Sequence, residues 1–477
     1  MNIASISTLS SRSAAFSRVT DNGFCIGCGG CAARPTGDAR MAMNDIGLYE
    51  ARLSPGGAAP RDFASICPFS GEAADEDQIA DELFPERETR RHPEIGRYAA
   101  CFVGHAEEGG FRRAGSSGGM ASWFLCELLA TGAVDGVVHV AAAADGALFR
   151  YSISTSLDAV RGGAKSRYYP VEASQVLAAL RETEGRFAFV GVPCFVKAVN
   201  LQRRVDATLR ERIALTVGIF CGHMKSARFA DFLSAQMGVA AEEIASVDFR
   251  LKYRDRPASS YGFEAIRRDG SRASRPMSEM FGGNWGYGLF KAKACGFCDD
   301  VAAETADIAF GDAWLAEHVN DSKGTNVVVV RDPALVATLT RAASAGRIRL
   351  APVSADTVAL SQAAGLRDRR EGLGFRSWET DAAGEWRPLR RTPPCAHVPE
   401  TRRKIYRLRD AIARASHSAF AETLGAGGGL ADFERAMRPL IDAYDALYRP
   451  SWMQRARRKV GRIARRLLDA MRRKARA

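Results

Sequence analysis

Apolar and polar positions change period several times along this chain, and the changes mark its elements. RFAFVGVPC (186–194) is an apolar run of strand length, followed by helical spacing in FVKAVNLQRR. ERIALTVGIFC (211–221) repeats the device, with SARFADFLSAQMG and its glycine stop behind it. Earlier, GSSGGMASWFLCELLATGAVDGVVHV (115–140) predicts a glycine-serine loop, then a helix with Met120, Phe124 and Leu128 on one face. A stop near Gly132 and a strand from about Val134 follow. A further strand is expected over 306–310. Alternating strands and helices predict an α/β class, α+β overall, with the strands in an open parallel sheet whose carboxyl ends form one edge. Residues 75–95, charged and with two prolines, read as a linker. DRREGLGFRSWET (368–380) and RPLRRTPPCAHVPE (387–400) read as an extended, arginine-rich crossing segment. Two helices are expected near 402–422 and 430–447, around a GAGGG loop at 425–429.

Length and composition bound the class. With 477 residues, 46% of them hydrophobic, the chain has room for two to four domains. The first twenty residues are polar and serine-rich, and no apolar run approaches the roughly 18 residues of a membrane span, so a cytoplasmic, reducing setting is expected. There, eleven cysteines are ligands and buried thiols rather than disulfides. The net charge of +12 is local, because residues 451–477 hold eleven Lys or Arg and only Asp469. Val460, Ile463, Leu467 and Met471 give that tail one apolar face. A basic amphipathic helix of this kind suits an anionic membrane surface, peripheral at the inner face, or an acidic protein; packing on the main body is the plain alternative. Nucleic acid is not expected, since no binding motif accompanies the charge.

The cysteines then change the picture. Cys25, Cys28 and Cys31 in FCIGCGGCAARP, with the remote Cys67-Pro68, have the spacing of a 4Fe-4S ligand set. In two-cluster ferredoxins the run C-x2-C-x2-C-x3-C-P carries a fourth cysteine that serves the other cluster. Here Arg34-Pro35 stands in its place, so the run predicts one cluster. Zinc is the rival, although structural zinc favours paired C-x2-C units. Cys194 and Cys221 each lie just beyond a strand's carboxyl end, and Cys295 and Cys298 form a C-x2-C pair. Together they make a second four-thiolate set for a cluster or for zinc. Cys101, Cys126 and Cys395 read as buried thiols.

Other motifs suit an anionic cofactor. Ser116, Ser117, Gly118 and Gly119 open a helix whose free amides suit a phosphate, or form a plain N-cap. Lys165, Ser166, Arg167 and Tyr168 combine two cations, a hydroxyl and an aromatic ring. Arg250 and Lys252 in FRLKYRD are either anion contacts or a solvated strand edge. Asp312 suits a ribose or flavin hydroxyl, Asp307 a turn, and His223 a proton donor or a structural histidine. No G-x-G-x-x-G or Walker sequence occurs.

In order, CIGCGGCAA, the Ser-Gly-Gly helix start, VDGVV, KSRYYP, GVPC, IFCGHM, FRLKYRD, CGFCDD and ADIAFGDAW resemble the coenzyme F420-reducing hydrogenase and dehydrogenase beta-subunit family, over about residues 20–350. That family also includes the plant reductase of 7-hydroxymethyl chlorophyll. The resemblance implies a ferredoxin-like iron-sulfur module over 1–90, an α/β domain over 91–355 that binds FAD and iron-sulfur clusters, and a helical basic extension over 356–477. It implies that Cys194, Cys221, Cys295 and Cys298 are cluster ligands near the flavin. Ser116–Gly119, Lys165–Tyr168 and Asp312 would then hold FAD. The expected activity is an oxidoreductase relaying electrons from a one-electron donor such as ferredoxin, through 4Fe-4S clusters and FAD, to an organic substrate. The alternative is an electron-transfer or adaptor subunit of a larger complex.

Overall fold

The computed structural model describes residues 13–143 and 147–449; the basic tail and its expected amphipathic helix lie outside the described residues. Four parallel strands form the centre of an eight-stranded sheet: Ile308–Asp312, Ile213–Ile219, Phe187–Gly191 and Gly136–Ala142, in that spatial order. Phe149–Ser154 adds antiparallel beyond Gly136–Ala142. On the other side Asn326–Val330, Ala100–Ala106 and Ile348–Pro352 add in turn, each antiparallel to its neighbour. The sheet is therefore mixed, where the chain pattern predicts a parallel one. Connection length explains the difference. Only residues 143–148 separate Gly136–Ala142 from Phe149–Ser154, and a parallel crossover needs a dozen or more residues, usually with a helix.

Strand alternation serves two cores at once. Val137, Ala188, Leu215 and Val217 face the helices Met120–Ala130 and Ala334–Ser344. Val138, Phe187, Phe189 and Ile213 point the other way, onto Phe16, Phe24 and Phe63 of the cysteine-bearing N-terminal region. That region contains a helix over 13–21, the hairpin Ala39–Met43 with Tyr49–Leu53, and the short helix Phe63–Ile66. The first cysteine run is thus packed directly on a face of the sheet. A separate three-stranded sheet, Ile244–Leu251, Gly262–Arg267 and Arg272–Pro276, shares a core with the helical hairpin Glu400–Glu422 and Leu430–Tyr448. Both of those helices stand where the sequence pattern expects them. Among the described residues no helix is long and apolar enough to cross a membrane.

Two segments differ from expectation. Residues 75–95 are folded: Asp75 and Gln78 form a capping box on the helix Glu76–Leu83, and Arg90–His92 pairs with Gly96–Tyr98. Residues 368–380 are helical, as a π-turn at Asp368–Gly372 and the helix Leu373–Ala382. Charged residues suggest loops in a sequence, but here their partners are distant in the chain and buried. Glu76, 5% exposed, pairs with Lys197 at 3.0 Å and Arg391 at 3.4 Å. Cys101 and Cys126 are buried as expected, whereas Cys395 is partly exposed on an irregular segment.

The Glu76 network should be visible in stability. Lys197→Met leaves a buried carboxylate short of one partner, an expected loss of about 3 kcal/mol at neutral pH in urea denaturation. Although burial opposes its charge, Lys197 and Arg391 hold the Glu76 carboxyl below its ordinary range. Its stabilising contribution is therefore fully present above about pH 4.3 and is lost as pH falls through the lowered folded value. The gap between wild type and variant should narrow in that acid range.

Candidate functional site

The first cysteine set is assembled by tight backbone turns. Gly27 and Gly29 separate the cysteines in left-handed conformation, with φ of 71° and 78°. A Cβ on Gly27 would stand 2.8 Å from the Tyr49 carbonyl oxygen, and one on Gly29 would stand 2.4 Å from the Ser174 amide nitrogen. Glycine is required at both positions. Cys25, Cys28, Cys31 and Cys67 line one pocket with Phe24, Ile26, Phe63 and Phe69. The four thiols are half-buried, and all four open onto this pocket. Burial pushes all four thiols up, Cys28 to about 12, and Cys31 is raised further by Cys25, Cys28 and Cys67. The Ala51 amide donates to Cys25 Sγ at 3.4 Å.

The second set gathers at the strand ends that the sequence singled out. Cys194 lies in the first turn of the helix Pro193–Val205, directly after the strand Phe187–Gly191. Cys221 follows the strand Ile213–Ile219, and its amide donates to the Val301 carbonyl at 3.0 Å. Cys295 and Cys298 sit on a 3₁₀ turn, Lys293–Phe297, and at its end. Burial raises the Cys194 thiol, and Cys298, Cys221 and Cys295 add to the rise; Cys28 of the first set contributes as well. Cys28, Cys194 and Cys298 also pack against one hydrophobic cluster, so the two sets are neighbours. Tyr151 stands beside both Cys28 and Cys194, and its hydroxyl donates to the Val190 carbonyl at 3.1 Å.

Buried arginines fix these loops, and sequence reasoning missed them. Arg369, 2% exposed, donates to the carbonyls of Cys295, Cys298 and Gly222, so it ties the C-x2-C turn to the Cys221 loop. Burial disfavours its charge, but Cys298, Cys295, Cys221 and Asp368 together raise its pKa above the ordinary value. Arg376 Nε donates to the Gly296 carbonyl at 2.8 Å, and Arg370 donates to that of Asp299. The sequence signal was the density of arginine over 367–391, with no indication of target.

Among the described residues, no group of three or more Cys, His, Asp or Glu side chains closes around a single ion. The sets fit a larger polynuclear group in other ways. The first lines a pocket with four thiols, burial raises the thiols of Cys194, Cys221 and Cys298 in the second, and orphaned polar atoms flank both. Gln202, fully buried beside Gly30 and Cys28, has neither amide atom paired. His223 Nε2, two residues from Cys221, is likewise buried and unpaired.

A third constellation forms where the sequence placed its anion motifs. The Ser166 amide donates to Ser116 Oγ at 2.8 Å, so the two loops meet. Arg250, 3% exposed, pairs with Asp312 at 3.1 Å and donates to Tyr168 Oη at 3.3 Å. The solvated-edge reading of Arg250 is therefore wrong, because its partners fold over it from other elements. Lys252 Nζ donates to the carbonyls of Arg112, Ser117 and Lys323 at 2.6–2.7 Å. Burial, with Lys165 and Arg250 nearby, lowers Lys252 to about 7. Lys252 lines a small pocket together with Ser116, Ser260, Tyr261 and Ser322.

Lys165 belongs to the same knot through Asp248 at 2.8 Å, but Arg167 turns away and stacks over Phe149 at 4.6 Å. Gly118 packs against Gly104 and Asn326, and Gly119 adopts φ of 76°. Asn326 Oδ1 accepts the Met120 amide at 3.1 Å, so at least one helix-start amide is already taken. Asp307 accepts from the Thr216 amide and hydroxyl, each at 2.7 Å, in a structural role. Trp285, from NWGYGLF and not singled out in the sequence, spans two sites: its ring is 4.5 Å from Tyr168 and 4.3 Å from His223.

Comparison with known proteins follows these boundaries. The coenzyme F420 hydrogenase/dehydrogenase beta subunit N-terminal model matches residues 101–178, and the C-terminal model of the same subunit matches 184–356; together they span just over half of the chain. The second cysteine set and the Ser116 and Lys165 loops fall inside the matches, and the first set lies outside them. Among solved structures, a chain of the F420-reducing [NiFe] hydrogenase complex from Methanosarcina barkeri, in a xenon-derivatised form, is 16% identical with a TM-score of 0.48. The alignment covers 64% of this chain and all of that one. No curated protein matches significantly. By the paired family matches, the chain belongs to the coenzyme F420 hydrogenase/dehydrogenase beta-subunit family.

Proposed function

We propose that this protein is an iron-sulfur flavoprotein oxidoreductase that takes electrons one at a time from a donor protein such as ferredoxin and delivers them in pairs to an organic substrate. The observation that carries this reading is the adjacency of the two four-cysteine sets, since Cys28 and Cys194 pack against the same hydrophobic cluster that contains Tyr151. Bound 4Fe-4S clusters would supply one-electron steps, and FAD would exchange single electrons for a hydride equivalent.

The chain's own residues supply position, charge and dryness. Cys25, Cys28, Cys31 and Cys67 would hold the entry cluster, and Cys194, Cys221, Cys295 and Cys298 the second. The amides of Ala51 and Met224, which donate to Cys25 Sγ and Cys295 Sγ at 3.4 and 3.2 Å, favour the more reduced, more negative state of whatever those sulfurs bind. The Ser116–Gly119 loop and Lys165 would receive the cofactor's phosphates, and Lys252, whose three donors are taken by the carbonyls of Arg112, Ser117 and Lys323, would hold that loop in place. Trp285 and Tyr168 offer aromatic surface between that loop and the Cys221 loop. His223 Nε2 is an unpaired polar atom on that same path. The basic segment 451–477 is read as a docking element for an acidic partner or an anionic membrane surface.

Anaerobic purification should give about eight irons and one FAD per chain. Cys194→Ser or Cys298→Ser should remove about half of the iron and spare the rest; unchanged iron in either variant would refute the second set. Turnover with a chemical donor and a panel of organic acceptors then separates an enzyme from an electron-transfer subunit, which would load both cofactors and reduce no acceptor.

Ser116→Ala removes the tie to the Ser166 amide. A loss of about 1 kcal/mol, roughly fivefold weaker FAD retention on dilution, is expected with iron unchanged.

A further inference from the structure

We infer that Arg390 is a positioning residue that sets the spacing between the two cysteine sets. This inference rests on the two-cluster reading above. Arg390 Nη1 donates to the Pro68 carbonyl at 2.8 Å, and its Nε donates to the Phe297 carbonyl at 2.6 Å. Pro68 directly follows Cys67 of the first set; Phe297 lies between Cys295 and Cys298 of the second. One planar guanidinium therefore bridges the backbone of both ligand loops. It also lies over the Phe69 ring at 4.1 Å, and Phe69 lines the first pocket.

The side chain cannot slide freely between its two carbonyls. Its neighbour Arg391 is locked to both sides: to Glu76 and Asp77 on the N-terminal side, and to Asp299 and Glu304 beyond the C-x2-C turn. The Arg391 amide adds a bond to Asp299 Oδ2 at 3.1 Å. With the backbone pinned on either side, the rigid fork of Arg390 fixes one loop against the other. Lysine would keep the charge but not the fork, since its ammonium is a single point on a flexible stem. Arg390 Nη2 is buried with no partner, so the guanidinium is held for its two carbonyl contacts at the expense of a third.

In the relay proposed above, the first set would hold a group that passes an electron from the external donor protein, being oxidised as it does so, to a group held by the second set, which would be reduced. The rate of that exchange falls steeply with separation. Holding the Cys67 and Cys298 loops together is therefore a direct route by which a residue touching neither sulfur controls it.

The test uses the full-length, anaerobically loaded protein and its Arg390→Lys and Arg390→Met variants. Iron and FAD per chain, the spin-interaction pattern in the electron paramagnetic resonance spectrum of the fully reduced protein, and freeze-quenched transfer between the two sites are measured together. Both variants should keep the wild-type iron and FAD. Both should show an altered spin interaction and transfer slowed by about tenfold or more, the scale on which small misplacements act. Wild-type spectra and rates in Arg390→Met overturn the inference. So does rescue by Arg390→Lys, because charge alone would then suffice. Loss of iron from either variant also overturns it, since the role would be assembly rather than spacing. Failure of the underlying reading is distinguishable: wild type itself would then hold iron for fewer than two clusters.

Discussion

The site depends on the satisfaction of backbone carbonyls in loops that have no regular partner. A C-x2-C turn and two strand-end loops leave several carbonyls pointing into a desolvated interior, and each needs a donor. Guanidiniums supply them, the buried Arg369 for Cys295, Cys298 and Gly222, the buried Arg376 for Gly296, and the half-buried Arg370 for Asp299. Arginine suits this work because it carries five donors in a planar fork and stays charged when buried beside acids. Asp368, held well below its usual range by Arg376, Lys291, Arg409 and Arg369 against the opposing effect of burial, anchors the same cluster from the acidic side. The loop geometry of the second set is thus written largely in residues 368–391, far along the chain from the cysteines they position.

That separation explains which parts of the protein were legible in its sequence. Strands such as Phe187–Gly191 and Ile213–Ile219 announce themselves because their apolar periodicity is a local property. The cysteine spacings were legible for the same reason: C-x2-C-x2-C and the strand-end positions of Cys194 and Cys221 concern neighbours in the chain. The linker reading of 75–95 and the extended reading of 368–380 failed because local charge was taken for solvent exposure. Glu76, Arg369 and Arg376 are charged and buried, each with partners from distant segments. A similar long-range effect concealed Arg250, whose burial depends on Asp312, Tyr168 and Tyr261 folding over it.

The mixed sheet has a functional side. Its parallel centre brings the carboxyl ends of Phe187–Gly191, Ile213–Ile219 and Ile308–Asp312 to one edge, which carries Cys194, Cys221 and Asp312. The antiparallel strand Asn326–Val330 then runs back from that edge, and Asn326 at its start ties the Met120 helix amide to the Gly311 carbonyl. The Ser-Gly loop is consequently seated on the same edge as the second cysteine set. A wholly parallel sheet would have placed the amino end of that strand, and Asn326 with it, at the opposite edge.

The electrostatics of the second set add a constraint on what it holds. Burial raises the thiols of Cys194, Cys221 and Cys298, and neighbouring thiols add to the rise at Cys194 and Cys221. Arg369 lowers Cys221 and Cys298 against that rise, whereas burial and Lys291 push the Lys225 ammonium well below its ordinary value, with only Cys295 opposing them. Arg369 is thus the cation that favours thiolates here, and Asp299 and Asp300 work against it at Cys298. Burial disfavours free thiolates at these positions, and a bound group that shares their charge would relieve that cost. In the reading proposed above an iron-sulfur cluster would be such a group, with Arg369 on one side of its charge balance and Asp299 and Asp300 on the other.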